Sequence, residues 1–172
     1  MGGHHKVPMA DLKKTFASLS GNTGAKFENI TTLLNSGNVI FQTEATDQDL
    51  LETTISKALE KNFGFPIPTR IRSTEMLMQL LASDPFKNIN ITKDIRCYIS
   101  FLKDDTASEV EIPWTSEDKS FTILQVHQKT IVSVLDLAVT NTPKAMGALE
   151  KTYGKDITTR NWNTLKRIEA KL

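Results

Sequence analysis

The sequence predicts an α+β fold in two lobes, residues 1–72 and 73–172, and three observations carry that reading. The first 72 residues run helix, strand, strand, helix, strand, whereas the remainder opens on a helix, continues in three strands and closes on two helices. Two hairpin signals are present, NSGN at 35–38 and Gln128-Lys129, each between strand-like runs. A length of 172 residues, 39% of them hydrophobic, suffices for one packed domain or two small lobes.

The first helix is expected near Pro8, whose fixed φ suits a first turn, with Met9, Leu12, Phe16 and Leu19 at helical spacing and Gly21 as the stop. Residues 30–42 then read as a hairpin in which Gly37 supplies the positive φ of the turn. Thr46 followed by Asp49 resembles a capping box, and Leu51, Ile55 and Leu59 form the stripe of a second helix ending near Phe63. A strand through Ile71 should start late or lie at an edge, because Pro66 and Pro68 flank Ile67. This order matches a ferredoxin-like βαββαβ unit without its first strand, which MGGHHK at 1–6 cannot supply.

Ser73 is the expected N-cap of a helix with Met76, Leu77, Leu80 and Leu81 on one side, stopped at Asp84-Pro85. Strands follow at 95–102, 121–127 and 130–135. The stretch 103–119, with six acidic residues, one proline and Trp114, reads as a long exposed loop. A helix over 144–153 turns Ala145, Met146, Leu149 and Tyr153 inward and ends at Gly154, and a last helix spans 162–172.

Composition narrows the function classes. Cys97 is the only cysteine, which excludes an internal disulfide and a multi-thiolate metal site, and its place in IRCYISF marks it as a strand core residue. The net charge is +1; residues 73–143 carry 6 basic and 10 acidic side chains and residues 144–172 carry 7 and 3, a basic tail that permits an anionic ligand without requiring one. No apolar run is long enough for a membrane span or a secretory signal, so a cytoplasmic protein is expected.

Three stretches in order, GGHHKVPMADL, LLNSGNVIF and TTRNWNTL, resemble a widespread, mainly bacterial family known as domain of unknown function 1697. The resemblance implies an α+β fold with a ferredoxin-like N-terminal half, and no activity. Members of that family open with a hydrophobic strand and an arginine-containing turn before the Gly-Gly seen here as Gly2 and Gly3, so an additional strand before Met1 is expected.

The densest candidate site is TTRNWNT at 158–164. There Arg160 offers a planar fork for phosphate or carboxylate, Trp162 a face for stacking, and Asn161 and Asn163 polar edges, all at a helix N-terminus. The same residues have structural uses: Thr159 or Asn161 as a cap, Trp162 as a core staple, Arg160 as a tie to a neighbouring loop. Ser36 and Asn38 in the NSGN turn divide in the same way between ligand contact and turn geometry. His4 and His5 lack the further ligands of a closed metal site, and no metal or cofactor is expected.

There is no GxSxG elbow, Walker loop or GxGxxG. The reading from sequence is therefore a non-enzymatic binding or interaction protein for a small anionic or nucleotide-like ligand or a partner protein. The alternative is an enzyme on a small phosphorylated or nucleotide substrate with Arg160 as anion clamp. Near-neutral charge argues against nucleic acid.

Overall fold

The computed structural model describes residues 7–19, 26–33, 37–45, 47–105 and 111–172. The fold is α+β, and the chain divides into two compact units, one up to Arg72 and the other Ser73–Lys171.

In the first unit, helix α1 (Met9–Leu19) precedes strands β1 (Glu28–Leu33) and β2 (Asn38–Gln42), followed by helix α2 (Gln48–Phe63). The strands form an antiparallel hairpin, with Gly37 at φ 71° in its turn. Leu12, Phe16 and Leu19 of α1 meet Leu51, Ile55 and Leu59 of α2 in one core with Phe27. Phe16, Phe27 and Phe41 pack ring on ring at centroid separations of 5.3–6.4 Å, in the tilted and edge-on arrangements aromatic quadrupoles favour. The cap of α2 is Asp47, whose Oδ1 accepts from Leu50 N at 2.9 Å, in place of the expected capping box led by Thr46. Thr46 itself lies outside the described residues, as do Gly21 and Ser36.

The expected strand through Ile71 is not formed. Residues 66–73 carry no strand, and the sheet of this unit has two strands among the described residues. Two causes are local. Pro66 and Pro68 have no N–H to give to a ladder, and the Ile71 N–H is donated at 2.8 Å to Glu52 Oε1 on α2. The same carboxylate takes Arg70 Nη1 at 3.2 Å and Arg72 Nη1 at 3.4 Å, so one buried acid fastens three successive residues to the helix.

The second unit contains α3 (Thr74–Ser83), β3 (Ile95–Phe101), β4 (Trp114–Thr115), β5 (Phe121–His127), β6 (Thr130–Asp136), α4 (Thr142–Tyr153), β7 (Thr158–Asn161) and α5 (Trp162–Glu169). Its strands form an antiparallel sheet in the order β4-β5-β6-β3-β7. Ser73 caps α3 through Met76 N, and Gln128 and Lys129, at φ 47° and 59°, make the tight turn between β5 and β6. The loop expected over 103–119 contains the short β4, which pairs Trp114 with Ile123 and Thr115 with Thr122.

Cross-strand partners share a face, so the register sorts the side chains. Cys97, Ile99 and Phe101 lie opposite Val134, Val132 and Thr130, and this face packs with Leu81 of α3 and Trp162 and Leu165 of α5. Phe121, Ile123, Ile131 and Leu135 look the other way, against Ala145 and Leu149 of α4. Cys97 is a core residue, and burial pushes its thiol pKa up.

Ser133, fully buried on the α4 face opposite Tyr98 and Ile123, has a hydroxyl with no hydrogen-bond partner among the described residues. An unsatisfied buried hydroxyl costs about 1–3 kcal/mol. Ser133→Ala is therefore expected to add up to about 1 kcal/mol of stability, read as a higher urea midpoint. A clear loss would mean that the hydroxyl is satisfied.

Candidate functional site

The motif TTRNWNT proves to be a strand end joined to a helix start. Thr158–Asn161 form β7, paired with β3 at the sheet edge, where the sequence reading placed only a lead-in to the last helix. Thr159 faces α4 and exchanges a hydrogen bond with Ser100 Oγ at 2.7 Å. Arg160 lies opposite Ile99, on the α3–α5 face, and its Nη1 donates to Thr159 O at 2.9 Å. Desolvation lowers the Arg160 pKa, which still leaves the guanidinium charged at neutral pH.

Asn161 is the N-cap of α5: its Oδ1 accepts from Asn163 N at 3.0 Å, satisfying one of the first-turn N–H groups that a helix leaves open. Trp162 is only 4% exposed, with the edge-on ring of Phe86 5.2 Å away and Lys166 Nζ 5.8 Å from its centroid. The indole face expected to stack a ligand is thus occupied by protein. Burying so large an apolar surface outweighs what a surface stacking platform would gain. Asn163 is exposed on the first turn of α5. In the first unit, Asn38 is 8% exposed and its Nδ2 donates to Leu33 O at 3.5 Å across the base of the hairpin.

The second unit holds a groove of about 240 Å³ that the motif does not enter. One wall is α3, where Met76, Gln79, Leu80 and Ser83 follow at i, i+3, i+4 and i+7 and so share one helix face. The other wall is the β5–β6 hairpin. Gln125 lies opposite Val132 and His127 opposite Thr130, so these four side chains make a patch on the α3 side of the sheet, with Gln128 at the turn. Met76, Leu80 and Val132 supply apolar contact, and three carboxamides, two hydroxyls and an imidazole supply polar atoms.

Ser83 Oγ donates to Leu80 O at 2.7 Å and Thr130 Oγ1 to Gln128 O at 3.2 Å, so both hydroxyl protons serve the fold. Among the described residues, the side chains of Gln125, His127 and Gln128 make no hydrogen bond to another protein group. Arg160 sits on β7, two strands from β6, about 10 Å away by the usual strand spacing.

The sequence reading missed this groove. The hairpin register was available from the Gln128-Lys129 turn, and with it the shared face of Gln125, His127, Thr130 and Val132. No pattern in the chain says that α3 crosses this patch.

The protein thus has an α+β fold whose second unit carries an open groove lined by no carboxylate, ammonium or guanidinium. The chain belongs to the family described as Protein of unknown function (DUF1697), whose model matches residues 1–131. The match takes in α3, β5 and the start of β6, and it ends before TTRNWNT. No curated protein and no solved structure matches the chain. No helix among the described residues is long and apolar enough to cross a membrane.

Proposed function

We propose that this protein is a binding or interaction module, with the groove between α3 and the β5–β6 hairpin as its ligand site. The observation that supports this is the make-up of the groove: two walls from separate elements, apolar contact from Met76, Leu80 and Val132, and three carboxamides, Gln79, Gln125 and Gln128, among its lining residues. The two hydroxyls in it are committed to backbone carbonyls, so neither is set up as a nucleophile beside a base. Binding is the function such a site serves. Arg160, the anchor expected for an anionic ligand, stands at the β7 edge of the same sheet face; in this reading it and Asn161 fix the strand-to-helix junction that seats Trp162.

A thermal-shift screen over nucleosides, nucleotides, sugars, sugar phosphates and capped amino acids tests this with two proteins, the natural chain and Gln125→Trp. Gln125 is exposed, so the larger side chain fills the groove without entering the core. A ligand at about a hundred times its Kd should stabilise the natural protein by about 2.7 kcal/mol and leave the variant unmoved. Mass spectrometry of the mixture should return the ligand unchanged. Ligands that stabilise both proteins equally, or a product in the mixture, would count against the proposal.

A further inference from the structure

The chemistry of the groove restricts what it can hold. None of its nine lining side chains is a carboxylate, an ammonium or a guanidinium. An anion entering it finds no fixed cation among the lining residues to offset the water it loses. An anion meets a further penalty, since the Glu75 carboxylate lies beside the groove, accepting from Gln79 Nε2 at 3.4 Å.

What the walls do offer is repeated. Gln79 stands on the helix side and Gln125 and Gln128 on the hairpin side, and each carboxamide carries an N–H donor and a carbonyl acceptor next to one another. That pair matches, in reverse order, any ligand edge on which an acceptor and a donor are adjacent, as a Gln side chain does with the edge of adenine. The apolar contact from Met76, Leu80 and Val132 suits a flat or branched body behind such an edge, and thioethers adapt to its shape. A space of about 240 Å³ takes a single ring system or a short side chain, below the size of typical drug-sized pockets.

Resting on the reading of this groove as a ligand site, we infer that its ligand is a small uncharged molecule with a hydrogen-bond donor and acceptor side by side, the edge that nucleobases and carboxamides share. The inference differs from a nucleotide or phosphate ligand in predicting that a phosphate group adds nothing to affinity.

The test uses the full chain labelled with ¹⁵N and three probes: adenosine, adenosine 5′-monophosphate and N-acetylleucinamide. Adenosine or N-acetylleucinamide should shift the side-chain NH₂ signals of Gln79, Gln125 and Gln128, and whichever does so names the source of the edge. The monophosphate should bind no tighter than adenosine. Gln125→Ala should weaken the binding by about tenfold, the loss of one paired edge, while Arg160→Ala should leave it unchanged. Gln79→Ala, on the opposite wall, is a second variant with the same expectation. A monophosphate that binds ten times tighter than adenosine, or shifts those signals where the neutral probes do not, overturns the inference and leaves the groove as a charged-ligand site. Silence from all three probes also overturns it. The screen with Gln125→Trp then decides separately whether the groove binds another class or none.

Discussion

Replacing Glu52 by alanine is expected to cost the first unit about 3–5 kcal/mol, among the largest single-residue losses in the chain. The carboxylate is 8% exposed, and the two guanidiniums on it, Arg70 and Arg72, are 5% and 8% exposed. Removing the acid takes away the carboxylate that both buried cations contact. It also strips the Ile71 N–H of its acceptor. Desolvation lowers the Arg72 pKa, and Glu52 is the largest influence opposing that shift.

Two further variants separate charge from geometry. Glu52→Gln keeps a carbonyl for Ile71 N and loses the charge, so it should lie between the natural protein and Glu52→Ala in urea unfolding. Replacing all three side chains together, with Glu52→Leu, Arg70→Met and Arg72→Met, should cost less than Glu52→Ala alone, because an apolar replacement leaves no charge stranded. A Glu52→Ala protein within about 1 kcal/mol of the natural one would show that the buried triad is open to water.

Much of this fold was legible because the signals were local. The Gln128-Lys129 turn sets its own strands: two residues in the left-handed region twist the chain so that 127 and 130 must pair. Ser73 likewise marks a helix start through a group the helix itself leaves unsatisfied, and Gly154, at φ 85°, marks the end of α4 by its backbone. The misses are non-local. The segment after Pro68 reads as a strand by its isoleucines, yet its N–H at Ile71 goes to an acid 19 residues earlier, a partner that no window around Ile71 contains. β7 is short and polar, and only its neighbour β3 makes it a strand. The candidate site divides along the same line. Caps and core residues within TTRNWNT are local and were among the expected uses, whereas the groove needs a helix and a hairpin about 50 residues apart to meet.

Trp162→Ala is expected to destabilise the second unit by about 3–5 kcal/mol, the cost of deleting a buried aromatic from a core that closes only partly over the gap. The indole is packed among Leu81, Phe86, Cys97, Ile99 and Leu165, and so joins α3, β3 and α5. Trp162→Phe should recover most of the loss, because it refills the cavity with an apolar ring and the edge-on contact with Phe86 can persist. Fluorescence gives an independent readout, since Trp114 and Trp162 are the two tryptophans of the chain. In a Trp114→Phe background the remaining emission should be blue-shifted and resist quenching by acrylamide in the native state, then shift red with the cooperative urea transition. A stacking platform for a ligand would behave in the opposite way: Trp162→Ala would leave the urea midpoint unchanged, and acrylamide would quench the native protein. The two outcomes assign Trp162 either to the core that holds α5 against the sheet or to a surface that meets solvent, and the 4% exposure predicts the first.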